Sequence, residues 1–379
     1  MRKIIADKIT RVLRAEGLDA VVTSSPENFA YLTGFVVPTQ PMIRHRHAMA
    51  ILTADGQESL FGVDMEASTI ANKAPETPLT VWREFHDDPM VVLADALKQA
   101  GLGEAAIGLE MDYLPAGDFA RLTAQMPKAR FVPFELQLSR ARQIKTEEEV
   151  ALIHRLSRIA DQAIADSLAA VRTGDTELDI AAVLTRRIYE LGAENFKLLI
   201  VATGERSQLP NVGPSSRKLQ PGDVCRVEIF SVINGYQAGV CRTAYVEEPP
   251  AMAEEIWDLM VECKYAILDQ IRPGASCLAI YNDFISRLEK MKLPPISFVG
   301  HGIGLHLHED PYIGSTPILG RPGQDAAVEE NMVLGFEPLC YRTGYGFGVQ
   351  NKDVLHVTAN GSVLLSDFTN TDKLIRIGG

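Results

Sequence analysis

Residues 224–246 read VCRVEIFSVINGYQAGVCRTAYV, two β-prone runs on either side of Asn234-Gly235. An Asn-Gly pair in that setting is a strong signal for a two-residue hairpin of type I′, because both central positions need positive φ. With Asn234 and Gly235 as the loop, Ile233 faces Tyr236. Stepping outward then sets Glu228 opposite Cys241, with Gly239 diagonal to Glu228 on the same face. Arg226 shares that face, so the bland reading of Glu228 is an ion pair within the sheet.

Working outward from the hairpin, LSRARQIKTEEEV at 138–150 has a helix start written into it. Thr146 is placed as the N-cap, Glu147 to Glu149 fill the first turn, and apolar residues recur at Val150, Ile153, Leu156 and Ile159. A second helix fits ELDIAAVLTRRIYELG at 177–192, with Gly192 as its stop, and two more fit 252–272 and 276–291. Upstream the pattern alternates: an opening amphipathic helix, DAVVTS at 19–24, HAMAIL at 47–52, a helix near 90–101 and IGLEMD at 107–112. The expectation is an α+β protein, with an α/β domain over 1–140 and a second domain over 141–379.

The 379 residues are 46% hydrophobic and 23% charged, enough for conventional cores, which excludes disordered and fibrous classes. A net charge of −12 opposes binding to a phosphate backbone, so no nucleic-acid partner is expected. No apolar run approaches the ~20 residues of a membrane span, and the N-terminus lacks a signal-peptide core, so a cytoplasmic location and no membrane partner are expected. Five cysteines without CxxC spacing suggest neither disulfides nor a thiolate metal site.

Chemistry concentrates in four places. Three of the eight histidines, His301, His306 and His308, fall in GHGIGLHLHEDP at 300–311. If that stretch is extended, His306 and His308 share a face, and glycines around His301 permit close backbone approach. Glu337 interrupts the apolar run VLGFEP at 333–338, where a buried carboxylate needs a partner. Glu228 is the third, and Lys352-Asp353 in the last strand the fourth.

Taken together, these segments resemble the creatinase, prolidase and aminopeptidase P family, whose C-terminal domain has the pita-bread fold. PENFAYLTGF at 26–35 is similar to the N-terminal signature of that family, and IKTEEEVALIH at 144–154 to the opening of its catalytic domain. GDVCRVEIFSVINGYQAGVCRT, GHGIGLHLHEDP and NMVLGFEPLCY follow in the order of its site motifs. Metal-dependent members hold two divalent ions with two Asp, one His and two Glu. By resemblance those positions fall on Glu228, Gly239, His301, Glu337 and Lys352, of which only His301 and Glu337 are intact.

The resemblance therefore implies no dinuclear metal centre and no cofactor, which brings the chain closer to the metal-free creatinase branch. Yet the catalytic His of that branch aligns with Asn211 and one of its glutamates with Cys241. What survives is an acid-base set of His301, His308, Glu337 and Glu228, with Asn211, Gly239, Cys241 and Lys352 lining a substrate site. Lys352 is expected to pair with Glu228 or Glu337 in place of the missing cations, and Gly239 to leave room for substrate. The family's dimers further imply a homodimer in which PTQPMIRHRHAMA at 38–50 covers the partner's site, with Arg44, Arg46 and His47 binding a substrate carboxylate.

The first functional expectation is a metal-independent hydrolase cleaving a C–N bond in a small zwitterionic nitrogen compound, such as a creatine-like, cyclic-amidine or modified amino-acid substrate. The alternatives are an Xaa-Pro dipeptidase-type metallohydrolase with one metal on Glu228, His301 and Glu337, and a catalytically silent binding protein.

Overall fold

The chain divides into two units, Met1–Arg142 and Gln143–Gly379, and the computed structural model describes residues 2–318 and 321–378. In the first unit the apolar run at 20–23 becomes an inner strand of a six-stranded sheet. It lies antiparallel to Met49–Thr53 and parallel to Ala106–Leu109, with Leu79–Trp82 and Arg130–Pro133 at the edges. Helices cover the sheet, and Met49, Phe61, Trp82 and Leu93 are among the residues of its core. The start of the helix Pro26–Thr33 is stitched to this sheet by a buried carboxylate. Glu110 accepts from the backbone N–H groups of Ser24 and Ser25, the Ser25 hydroxyl and the Asn28 amide, at 2.5, 2.9, 2.6 and 2.5 Å.

In the second unit the expected helix starts are present. Thr146 caps Glu147–Ala169 with a capping box closed by Glu149, and Glu177–Glu190 ends two residues before Gly192, whose φ is +93°. The helices Ala253–Gln270 and Cys277–Lys290 bury one face each. One sheet runs in the order Ile375–Ile377, Tyr236–Val246, Val224–Ile233, Asn195–Thr203. The other runs Glu309–Gly314, Phe298–Gly302, Val333–Phe336, Asp353–Thr358, Gly361–Leu364. The hairpin has the register read from its loop: Asn234 and Gly235 sit at φ +51° and +83°, Ile233 pairs with Tyr236 and Glu228 with Cys241.

Two local expectations are corrected. Residues 303–308 do not extend a strand but form the loop between the antiparallel neighbours Phe298–Gly302 and Glu309–Gly314. The cause is a long-range anchor: Glu309 takes the ammonium of the buried Lys145 at 3.0 Å and the backbone N–H of His306 at 3.3 Å, folding the loop back on itself. The room over Gly239 is also not open. Phe230 is its direct partner across the hairpin, and a Cβ at Gly239 would lie 2.5 Å from the Phe230 ring and 2.6 Å from the Ile229 carbonyl.

The sheets and helices of this unit meet at a buried ion network. Arg242, fully buried, binds Asp161 through Nε and Nη2 at 2.9 Å each, Asp353 through Nη2 at 2.9 Å and the Lys352 carbonyl through Nη1 at 2.7 Å. Lys264 approaches the other oxygen of Asp353 at 2.7 Å. Two cations and two carboxylates balance, and removing one leaves a desolvated charge unmatched. Asp161→Ala should therefore lower stability by about 3–5 kcal/mol, measured as a fall in the urea midpoint at unchanged slope. A loss below about 1 kcal/mol would show the network to be dispensable.

Candidate active site

A cavity of about 480 Å³ opens in the second unit. Its polar wall is Asn211, Glu228, His308, Glu337, Gln350 and Lys352, and its apolar wall includes Leu198, Pro210, Ile296, Phe298, Leu307 and Tyr341. Strand periodicity explains how distant segments supply this set. Arg226, Glu228 and Phe230 alternate along one face of Val224–Ile233. Glu337 follows immediately after Val333–Phe336, its N–H held by the Val299 carbonyl at 2.7 Å. Lys352 lies two residues beyond Gln350 on one extended segment, exchanging 3.3 Å backbone bonds with Cys241.

At the centre is the ammonium of Lys352, which is 2% exposed. Its Nζ lies 3.0 Å from Glu228 Oε1 and 3.5 Å from Glu337 Oε2, the pairing expected from the sequence. The same ammonium stands 4.7 Å from the centroid of the Phe230 ring. Gln350 closes the other side: its amide nitrogen donates to Glu228 Oε2 at 3.2 Å and to Glu337 Oε2 at 2.5 Å. Burial opposes the charge on Lys352, but Glu228 and Glu337 outweigh it and raise the pKa above the ordinary lysine value. Burial raises the pKa of Glu337, against the pull of Lys352.

His301 lies behind this wall, fully buried and stacked on His308 with ring centroids 3.7 Å apart. Its Nδ1 is 2.8 Å from the Gly302 carbonyl, which only accepts, so Nδ1 carries the hydrogen. In the neutral ring Nε2 is then the acceptor, 3.6 Å from Glu337 Oε1. Burial, then Lys352 and His308, hold the His301 pKa well below the usual value. Burial and Lys352 lower that of His308 to about 4. Both shifts favour the neutral ring.

Of the other expected site residues, Asn211 lines the cavity, whereas Gly239 and Cys241 do not. Gly239 is covered by Phe230, and Cys241 is a fully buried thiol whose pKa burial pushes well up. Arg226 does not pair with Glu228; it donates to Gln350 Oε1 at 2.7 Å and to the carbonyls of Leu209 and Pro210. In the first unit Arg46 is not a free carboxylate receptor. Its guanidinium is held by both oxygens of Glu84 at 2.9 Å, and His47 Nε2 lies 3.0 Å from Asp118. Gln350 and Tyr341 were missed by the sequence reading. Period-two spacing from Lys352 marks the first; nothing local marks the second.

The donor set does not fit a pair of divalent ions. At positions 239 and 352, where the resemblance implies oxygen ligands, this chain has the Phe230 ring and an ammonium already bound to both remaining glutamates. Among the described residues no group of three or more His, Cys, Asp and Glu side chains is arranged to hold a metal ion.

Two sheets carrying a carboxylate pair and a histidine pair thus follow a six-stranded α/β unit along the chain. Residues 151–359 match metallopeptidase family M24 and residues 6–144 the creatinase/prolidase N-terminal domain, and the chain belongs to that family. It is 26% identical over 379 residues to an Xaa-Pro dipeptidase of Lactobacillus helveticus, covering 98% of each chain. An Xaa-Pro dipeptidase of Pyrococcus furiosus is 25% identical over 368 residues, covering 95% of this chain and 97% of the relative. Among solved structures, a dipeptidase from Pyrococcus horikoshii superposes with a TM-score of 0.84 at 25% identity, covering 98% and 100%. An Xaa-Pro dipeptidase from Bacillus anthracis gives 0.84 at 21% identity, covering 99% of both chains.

The His308 shift predicts a stability profile. The unfolded imidazole takes up a proton near 6.5, while the folded one resists until about 4. The unfolded state therefore binds more protons across that window, and stability falls as pH drops through it. His308→Gln should flatten this decline relative to the wild type, followed as urea midpoints between pH 7 and 4. Parallel profiles would refute the assignment.

Proposed function

We propose that this protein hydrolyses a C–N bond in a small zwitterionic substrate of the dipeptide type, with the Lys352 ammonium in the place of paired metal ions. The observation that carries the reading is the position of Lys352 Nζ, 3.0 and 3.5 Å from the two carboxylates. The substrate class is supported by the named relatives, several of them Xaa-Pro dipeptidases. Creatine-like and cyclic-amidine substrates, the first expectation from the sequence, gain no support from those relatives. A silent binding role gains none either.

In this reading Glu337 takes a proton from the attacking water and returns it to the leaving nitrogen. Burial raises its basicity, and the bare Nε2 of His301 facing Oε1 gives the protonated carboxyl an acceptor. Lys352 offsets negative charge that develops on the carbonyl oxygen. Neutral His308, on the cavity wall, orients the substrate or the water. Glu228 keeps Lys352 in place. A homodimer in which the N-terminal unit covers the partner's cavity remains part of the proposal, checked by light scattering. A monomer at micromolar concentration would remove it.

A second reading, favoured by the same relatives, is a dipeptidase with a single metal on Glu228, His301 and Glu337. It requires Lys352 to leave both carboxylates. Purified protein assayed for bound metal and for hydrolysis of Xaa-Pro and other dipeptides, with and without chelator, separates the two. The first reading expects activity that chelator leaves unchanged and that Glu337→Gln lowers by roughly 10²–10⁴-fold. One tightly bound ion whose removal abolishes activity would establish the second.

A further inference from the structure

The polar groups around the carboxylate pair leave one residue without an assigned task. Gln350 is 1% exposed, and its amide has a single consistent orientation. Arg226 Nη1, 2.7 Å from Oε1, can only donate, so the amide oxygen must face the guanidinium and the NH₂ must face the cavity. Each of its two N–H bonds then meets one carboxylate, Glu228 Oε2 at 3.2 Å and Glu337 Oε2 at 2.5 Å. Arg226 is itself fixed. It is fully buried, donates to the carbonyls of Leu209 and Pro210 just before Asn211, and lies 4.8 Å over the ring of Tyr341.

We infer that Gln350 is a positioning residue for the proposed reaction and that Arg226 sets the orientation of its amide, an inference that rests on the hydrolase reading above. Lys352 alone does not hold the pair symmetrically: it is close to Glu228 and 0.5 Å farther from Glu337. The shorter bond to Glu337 comes from Gln350. A neutral donor there aligns Glu337 Oε1 toward His301 without quenching its basicity as a second cation would. The reverse orientation of the amide would set its oxygen against two carboxylates, and Arg226 forbids it.

The test compares the full-length wild type with Gln350→Met, which keeps size and removes the donors, and Arg226→Met, which frees the amide to rotate. Gln350→Met should lower kcat on the best dipeptide by about 10²-fold, as a misplaced reacting group does, while KM changes by less than about threefold. Its crystal structure should show the Glu337 carboxylate turned from its wild-type position, and Arg226→Met should reproduce the kcat loss. A Gln350→Met enzyme with wild-type kcat, or one that loses it with both carboxylates in place, overturns the inference. Should Gln350→Met not fold, Gln350→Asn, whose shorter amide cannot reach both carboxylates while Arg226 holds its oxygen, must displace Glu228 or Glu337 in its crystal structure; both in place overturns it equally. If the wild type itself cleaves no dipeptide or N-acyl amino acid, the hydrolase reading fails, and the crystal structures still decide the role of Gln350.

Discussion

Everything around the cavity follows from one buried ammonium. Two carboxylates as close as Glu228 and Glu337 repel each other, and burial makes that repulsion costly unless a positive charge stands between them. Lys352 supplies the charge at 3.0 and 3.5 Å. Its own burial is tolerable only because both acids answer it. Its backbone is held in turn: the Lys352 carbonyl accepts from Arg242, and Arg242 is locked by Asp161 and Asp353. The charge pattern of the site and the ion network of the core are therefore continuous through one residue.

Much of this was legible because it is local. Asn234-Gly235 sets the hairpin register from within two residues, and register alone puts Glu228 across from Cys241. Thr146 and Glu149 declare a helix start in the same way. The carboxylate of Glu337 in an apolar strand announces a buried partner without naming it. Family motif order and this chemistry converge on Lys352.

What was not legible depends on partners far away in the chain or on volume. The loop at 303–308 is shaped by Lys145, 164 residues before Glu309, and no periodicity within GHGIGLHLHEDP reports that anchor. The stacking of His308 on His301 follows from the same fold-back. The space above Gly239 was read as vacant because a glycine has no side chain, yet the register already set Phe230 opposite it, and large rings tend to cover glycine across a strand pair. Arg46 was read as a ligand for substrate because the sequence shows its charge but not Glu84, which is 38 residues away.

The Phe230 ring over Gly239 also constrains how this site can change. A single replacement at 239 by an acid collides with the ring and the Ile229 carbonyl. A single replacement of Lys352 by an acid gathers three negative side chains with no cation among them. Each step is disfavoured in the absence of the other and of a third at Phe230. Oxygen ligands at both 239 and 352 would therefore require coordinated changes at positions 230, 239 and 352 and not at one alone.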